Sequence, residues 1–154
     1  MGVLAGNQVA YIDRVESRWP LGLRFEPGSR VPVHCTAIGK LLLSEMGPRQ
    51  RDRFLMSSPL LKYTQNTITE PGALQQELAH IHEKRISTDD QEFMSGVVCV
   101  AVPITCSSGR VCAGLAISAP QARLTLEDAK RHLPLLQDAA RKLSLIFGER
   151  DGEI

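Results

Sequence analysis

The sequence predicts an α+β domain with a mainly antiparallel sheet flanked by helices, and three observations support this class. The first is a strong hairpin signal: a long apolar run over residues 97–106, a turn over 107–110, and a second run over 111–118. The second is an amphipathic helical pattern that follows the hairpin. The third is the order of the elements, which is strands, helices, a short strand, the hairpin and a last helix.

Local patterns define the elements of the N-terminal half. Residues 8–15 alternate as a strand with Val9, Tyr11 and Val15 on one face, and residues 21–25 predict a shorter strand. A turn follows over 26–29. A helix capped by Thr36 is expected to end near Met46-Gly47-Pro48. A second short helix over 49–56 precedes a polar, irregular stretch over 57–68.

The C-terminal half begins with a helix that Thr69 is expected to cap, with Pro71 in its first turn. Residues 86–89 form a short extended piece, and a polar connection over 90–96 leads into the hairpin. Thr125 and Asp128 resemble a capping box that opens the last helix. A proline at position 134 should kink this helix, and its end is expected at Gly148. Its apolar stripe consists of Ala129, Leu133, Leu136, Ala140, Leu143 and Phe147.

Composition limits the possible function classes. A length of 154 residues suits one domain over residues 1–154, and a net charge of +1 argues against nucleic-acid binding by this chain alone. No apolar run reaches the roughly 18 residues that span a membrane, and residues 1–10 do not read as a signal peptide. The four cysteines form no C-x-x-C pair. We therefore expect a reduced, cytoplasmic protein that has no disulfide and no cofactor.

The most informative short segment is HCTAIGKLLL over residues 34–43. Gly39 lies in the first turn of the predicted helix, where glycine costs about 1 kcal/mol relative to alanine. Such a glycine indicates that something approaches the backbone closely. One interpretation is an anion site at the helix N-terminus, formed by Thr36, Ala37, Ile38 and Gly39. A close contact between helix and sheet would explain the same glycine.

The hairpin has one bulky face and one face of small residues. A tight turn at Ser108-Gly109 pairs Cys99 with Ser118 and Ala101 with Ala116. The bulky face is expected to consist of Val98, Val100, Val102 and Ile104 with Val111, Ala113, Leu115 and Ile117. The small face is expected to consist of Val97, Cys99, Ala101 and Pro103 with Cys112, Gly114, Ala116 and Ser118. This small face predicts either a ligand cavity, with Ser118 and Asp89 as polar anchors, or a large partner such as a helix filling the space.

Particular residues also allow other functions. The helix N-terminus could lower the pKa of the Cys35 thiol for catalysis with His34, but adjacent residues on an extended segment point to opposite faces. A metal bound by His34, Asp89 and Cys99 is conceivable. His80 and His82 do not share a helix face and form a poor metal pair. A module that serves only oligomerisation would have protein filling the small face. We expect no enzyme and no metal site.

Several motifs, in order, resemble the C-terminal effector-binding domain of IclR-type bacterial transcriptional regulators. The resemblance extends from about Gly6 to Gly148, nearly the whole chain. The segments that carry it are Thr36-Ala37-x-Gly39-Lys40, Thr64-x-x-Thr67-Ile68, Ala73-Leu74, Glu77-Leu78-Ala79-x-Ile81, Asp89-x-x-Glu92-x-x-x-Gly96-x-x-Cys99-x-Ala101-x-Pro103 and Ala116-x-Ser118-x-Pro120.

The resemblance implies a GAF-like sheet flanked by helices, a small-molecule effector and a homodimer or homotetramer. Effector contacts would come from the start of the Thr36 helix, Asp89, Cys99 and an S-x-S pair. The chain departs from that pair at Ala116, which favours a larger or more apolar carboxylate over a small polar oxoacid. The combined expected effector site is Thr36, Ala37, Ile38, Gly39, Asp89, Cys99, Ala101, Ala116 and Ser118.

The resemblance also implies that DNA binding belongs to a different domain of the family's proteins. The family's winged helix-turn-helix normally precedes this domain, so this chain is expected to be a truncated piece with Met1-Gly2 near the cut. Operator DNA would then be bound only through that N-terminal domain. We predict that the chain alone does not bind operator DNA, because its net charge is near zero and it has no recognition helix. A gel shift at physiological salt checks this, and micromolar binding would contradict it.

Overall fold

The computed structural model describes residues 1–16 and 25–150. In these residues the strands form one six-stranded antiparallel sheet in the order β3-β2-β1-β6-β5-β4. The strands are β1 (Gly2–Ala5), β2 (Gln8–Tyr11), β3 (Arg30–Pro32), β4 (Ser87–Asp90), β5 (Val97–Thr105) and β6 (Val111–Pro120). The helices are α1 (Ala37–Ser44), α2 (Pro48–Ser57), α3 (Pro71–Lys84), α4 (Leu126–Arg131) and α5 (Leu133–Arg150). The predicted α+β class is confirmed.

The sheet separates two apolar clusters. On one face α1 packs against the small-residue side of the β5–β6 hairpin, and α3 covers α1 through Leu74, Leu78 and Ile81. All eight residues of α1 are buried, so this helix is the centre of that layer. On the other face α5 packs Leu136 and Ala140 against the bulky side of the hairpin. The sheet therefore has helices on both sides of the hairpin: α5 on the bulky face, as predicted, and α1 on the small face, for which the sequence left a ligand cavity or a large partner such as a helix open.

The register of the hairpin agrees with the prediction over most of its length. Cys99 pairs with Ser118 and Ala101 pairs with Ala116. A β-bulge between Ile104 and Thr105 changes the pattern near the turn. Because one extra residue reverses the side-chain alternation, Val111 packs with the α1 layer and Cys112 with the α5 layer. The sequence-based assignment of these two residues to faces was wrong.

Several predicted boundaries also need correction. The strand over 8–15 ends at Tyr11, and Val15 is fully exposed. A strand that the sequence analysis missed, β1, pairs with β2 through a turn at Gly6-Asn7, a dipeptide typical of tight hairpins. The cap of α3 is Glu70 rather than Thr69. The predicted strand over 21–25 lies almost entirely outside the described residues.

The last helix is interrupted rather than kinked. Thr125 caps α4 as predicted, with its Oγ1 accepting from the Asp128 N–H at 3.1 Å. The chain leaves helical geometry at His132, because Pro134 has no N–H to donate back to residue 130. A new helix, α5, begins at Leu133 and continues through Arg150, so Gly148 is not its end. The predicted apolar stripe still faces the sheet.

Prolines and a side-chain hydrogen bond remove some of the amide donors along the edges of the sheet. β4 pairs only with Val98–Ala101, so the second half of β5 extends beyond it. Within that half Pro103 has no N–H, and the N–H of Thr105 donates to Ser144 Oγ of α5 at 2.9 Å. The opposite edge strand, β3, is three residues long and ends in Pro32. Prolines at edges remove donors that another strand could use.

Gly39 is required by the path of the chain into α1. A Cβ at this position would lie 2.2 Å from the Val33 carbonyl oxygen and 2.4 Å from the Val33 Cα. The close approach is therefore to the segment that leads into the helix. Close packing of the backbone explains this glycine, as one of the two interpretations proposed, but the contact is with the segment before the helix and not with the sheet.

We predict that Gly39→Ala lowers the free energy of unfolding by about 1–3 kcal/mol, because the clash with backbone outweighs the better helix propensity of alanine. Gly72→Ala is the matched control, since a Cβ there meets nothing within 4 Å in the first turn of α3. The control should be neutral or raise stability by up to about 1 kcal/mol. Urea denaturation of the two variants measures both values, and equal effects would contradict the explanation.

Candidate functional site

A small cavity lies between the N-terminus of α1 and the small face of the hairpin. Its other walls are formed by Tyr11 of β2, by Phe25, and by Phe93 and Met94 of the connection between β4 and β5. Its volume is about 10 Å³, room for about one water molecule. Its lining consists of Tyr11, Phe25, Thr36, Ala37, Ile38, Asp89, Phe93, Met94, Val97, Cys99, Ala116 and Ser118.

Seven of the nine predicted site residues line this cavity. They are Thr36, Ala37, Ile38, Asp89, Cys99, Ala116 and Ser118. The other two, Gly39 and Ala101, are not in the lining. Gly39 lies against Val33, and Ala101 is fully buried in the core cluster that includes α1. Both are structural neighbours of the cavity.

The site predicted from the sequence did not include the large side chains of Tyr11, Phe25, Phe93 and Met94, which line the cavity. Tyr11 stacks on Phe25 with ring centroids 5.2 Å apart, and Phe93 meets Tyr63 edge-on at 5.2 Å. Phe93 and Met94 lie in the connection that was predicted to be polar. Two large apolar residues in such a connection were an available signal, because they favour a segment that folds over an apolar space. Tyr11 and Phe25 could not be placed without the tertiary structure.

The N-terminus of α1 is capped as predicted. Thr36 Oγ1 accepts from the Gly39 N–H at 3.3 Å and donates to the Pro32 carbonyl at 2.7 Å. The cap uses one of the donors of the first turn, and Ala37 and Ile38 remain as the cavity-lining residues of that turn. The positive end of the helix dipole therefore faces the cavity.

Asp89 is the buried carboxyl of the site, with only 3% of its surface exposed. Its pKa is raised to about 7; burial is the main cause, and the negative charge of Glu92 acts in the same direction. A hydrogen bond from the Glu92 N–H to Asp89 Oδ1, at 2.7 Å, and the charge of Lys40 act in the opposite direction. Near neutral pH this carboxyl is therefore present in both protonation states.

The remaining polar groups of the cavity are neutral. Burial raises the pKa of the Cys99 thiol to about 12, and nearby Asp89 contributes in the same direction. Ser118 lies opposite Cys99 on β6 and hydrogen-bonds to its thiol. Burial also raises the pKa of Tyr11. Apart from Asp89, the cavity thus presents hydroxyls, a thiol and helix amides.

A buried ion pair lies behind Asp89. Lys40 is 1% exposed, and its Nζ lies 2.6 Å from Glu92 Oε1 and 3.0 Å from Glu77 Oε1. Burial raises the pKa of Glu92, and the charge of Lys40 lowers it. The pair connects the middle of α1 to the connection between β4 and β5. The sequence analysis recorded both residues in motifs but assigned them no contact.

Side chains within residues 64–67 hydrogen-bond to the backbone at the end of β4 and in the connection between β4 and β5. Thr67 Oγ1 donates to the Glu92 carbonyl at 2.6 Å, and Thr64 Oγ1 donates to the Gln91 carbonyl at 2.6 Å. The Asn66 side chain donates to the Asp90 carbonyl at 2.9 Å. Three consecutive carbonyls are thereby held, which fixes the backbone next to Asp89.

The environment of His34 and Cys35 does not favour thiol catalysis. His34 Nε2 lies 2.9 Å from the Leu61 carbonyl, and burial lowers the pKa of the ring. Burial raises the pKa of Cys35 to about 12, so its thiolate is scarce at neutral pH. Across residues 1–16 and 25–150, no three His, Cys, Asp or Glu side chains come together as a metal site. In the same ranges no helix has the length and hydropathy needed to cross a membrane.

Comparison with known proteins identifies the fold and the family. The model of the bacterial transcriptional regulator IclR C-terminal domain matches residues 1–145. The probable transcriptional regulator SauR of Cupriavidus necator is 42% identical over 96% of this chain and 58% of its own length. The regulator KdgR of Escherichia coli is 33% identical over 98% of this chain and 57% of its own length. The chain thus spans a little over half the length of these relatives.

Solved structures agree with these matches. A transcriptional regulator from Rhodococcus superposes with a TM-score of 0.90 at 28% identity, covering 94% of this chain and 59% of that one. The inducer-binding domain of PobR from Acinetobacter, a double mutant in complex with 3-hydroxybenzoic acid, superposes with a TM-score of 0.86 at 26% identity. That match covers 93% of this chain and 84% of the PobR domain. This chain belongs to the IclR family of bacterial transcriptional regulators and corresponds to their C-terminal, effector-binding domain.

Proposed function

We propose that this domain senses a small organic acid and transmits its binding to a DNA-binding domain. The observation that carries the proposal is the meeting, at one cavity, of a helix N-terminus and a buried carboxyl that is protonated over part of the neutral range. The helix amides favour an anion, and a protonated Asp89 does not repel it. Together these features support a ligand that carries a carboxylate.

The remaining groups suggest a hydroxy- or oxo-acid. In the arrangement we propose, the ligand carboxylate accepts from the amides of Ala37 and Ile38. Its hydroxyl or oxo group meets Asp89 and Ser118, and its carbon skeleton lies over Ala116. The effector contacts would therefore be Thr36, Ala37, Ile38, Asp89, Cys99, Ala116 and Ser118, with Gly39 and Ala101 shaping the site from behind. The hydroxy acid in the PobR complex is a ligand of the same chemical class in a domain of the same fold.

Binding requires that side chains move. A cavity of about 10 Å³ is far below the several hundred Å³ of a ligand site. The side chains at positions 25, 93 and 94 occupy the space, and Met94 is 41% exposed at its outer end. Outward movement of Phe93 and Met94 would open the cavity without disturbing the sheet. This small volume also supports a second candidate, a domain that only oligomerises.

Under this proposal the domain acts as part of an oligomeric regulator that also contains DNA-binding domains. The effector would shift the equilibrium between conformations of a homodimer or homotetramer, and the family's N-terminal winged helix-turn-helix would bind operator DNA. Such a regulator works in the bacterial cytoplasm. The domain itself would catalyse no reaction.

We predict that below about pH 7, where Asp89 is protonated, Asp89→Ala weakens the binding of hydroxy acids by about 1–3 kcal/mol, because it leaves a buried ligand hydroxyl without a partner. Isothermal titration against aliphatic and aromatic acids, with 3-hydroxybenzoate and glycolate among them, measures the change. Ala116→Ser should shift preference toward the smaller and more polar acids, since it adds a hydroxyl and removes space. Tightest binding of a cation, or unchanged affinity in Asp89→Ala, would refute this arrangement. The absence of binding by every acid would favour the oligomerisation candidate.

A second prediction concerns pH. The carboxylic acids of the panel are ionised above about pH 5, whereas Asp89 has a pKa near 7. As pH rises through 7, Asp89 loses its proton and its charge repels the bound carboxylate, so affinity should fall. Titrations between about pH 5 and 9 should show this fall in the wild type and not in Asp89→Asn, which stays neutral. A pH-independent affinity in the wild type would show that Asp89 does not face the ligand.

A further inference from the structure

Glu92 connects three parts of the molecule. Its Oε1 accepts from Lys40 Nζ at 2.6 Å, its peptide N–H donates to Asp89 Oδ1 at 2.7 Å, and its carbonyl accepts from Thr67 Oγ1 at 2.6 Å. The residue is 7% exposed and does not line the cavity. Glu92 thus connects α1, through its side chain, to the carboxyl of Asp89, through its peptide N–H.

Stability alone explains this ion pair poorly. A buried ion pair often contributes no more to folding than apolar residues of the same volume, because both charges lose their hydration. The arrangement is also incomplete as a stabilising device, since Glu92 Oε2 is buried and has no hydrogen-bond partner within the described part of the chain. An unpaired carboxylate oxygen in the interior has a cost, which points to a function for the charge itself.

The groups around Asp89 are few. Lys40 faces it from α1, Glu92 from the β4–β5 connection, Cys35 from the segment before α1, Cys99 from β5 and Tyr11 from β2. Burial raises the pKa of both thiols to about 12 and raises that of Tyr11, so these three groups stay neutral near pH 7. The charge beside Asp89 therefore comes from Lys40 and Glu92, which act in opposite directions.

We propose that Glu92, held by Lys40, is a positioning residue for effector recognition. Its peptide N–H fixes the orientation of the Asp89 carboxyl, and its negative charge favours the protonated form of that carboxyl, to which burial also contributes. This role rests on the proposed function in so far as it concerns a ligand, but its effect on Asp89 exists in the free domain. Glu92 would thus affect the orientation and protonation of Asp89 without contacting the effector itself.

The test is a carbon-13 NMR titration of the Asp89 carboxyl in the free domain, with the resonance assigned from its loss in Asp89→Asn. Glu92→Gln removes the negative charge and keeps the side-chain shape, so Asp89 should titrate lower by about one pH unit. The pH at which 3-hydroxybenzoate binding weakens should move down by the same amount. Glu77→Gln is the matched control. It removes the other carboxylate on Lys40, 3.0 Å away, and should shift neither midpoint.

A second pair of variants tests the backbone contact without changing any charge. Thr67→Val removes the donor to the Glu92 carbonyl and also the acceptor of the Tyr63 and Thr64 N–H groups, which together hold residues 63–67 against this connection. The loss loosens the peptide whose N–H stabilises ionised Asp89, so Asp89 should titrate higher. Thr67→Ser keeps the hydroxyl and should leave the titration as in the wild type. If Glu92→Gln does not fold, the titration midpoints of Asp89 in these two variants test whether Glu92 positions Asp89.

The outcomes separate the two proposals. An Asp89 midpoint that is the same in the wild type, Glu92→Gln and Thr67→Val would overturn the role of Glu92. A purely structural role would lower affinity equally at every pH and leave the midpoint unchanged, which also overturns it. If the midpoints shift as expected but no acid binds the wild type, the positioning of Asp89 stands and the sensor function fails.

Discussion

The structure of the site depends on the buried ion pair between Lys40 and Glu92. A charged amine that is 1% exposed is tolerated only where a carboxylate meets it, and here Glu92 does so at 2.6 Å. This contact fixes the connection between β4 and β5 against the middle of α1. The cavity lies where these two segments meet, so its shape follows from the pair. A change on either side of the pair would alter the cavity without touching its lining.

The second constraint is the entry of the chain into α1. Val33 lies so close to the first turn that only glycine fits at position 39. The same tight path places Thr36 as the cap, turns Ala37 and Ile38 toward the cavity and buries the thiol of Cys35. A single backbone requirement thus explains several features that looked independent in the sequence. In this segment the residues that resemble a binding motif are largely residues that a closely packed helix start requires.

Much of the fold was accessible from the sequence because its signals are local. The tight turn at Ser108-Gly109 predicted the pairing of Cys99 with Ser118, a capping-box motif predicted the Thr125 cap, and helical spacing predicted the α5 stripe. The faces of Val111 and Cys112 could not be predicted, because no residue type or spacing in the sequence marks the position of the β-bulge that exchanges them. Seven cavity residues were predicted because they lie on regular elements. Tyr11 and Phe25 were missed because tertiary packing brings them there. The contact of Lys40 with Glu92, 52 residues apart, is likewise a property of the folded chain.

The edges of the sheet have a consequence for how the domain behaves in a crowded cell. Pro32 at one edge, and Pro103 with the Thr105–Ser144 hydrogen bond where β5 extends beyond β4, remove donors that a foreign strand could use. The growth of cross-β aggregates from a folded domain begins by such pairing, so these positions act as barriers to it. Under the proposed function the cavity would open to admit a ligand, and the domain would then be at risk of association while its interior is exposed. The missing donors at positions 32 and 103 and the occupied donor at position 105 would lower that risk in the open state, because they do not depend on the cavity.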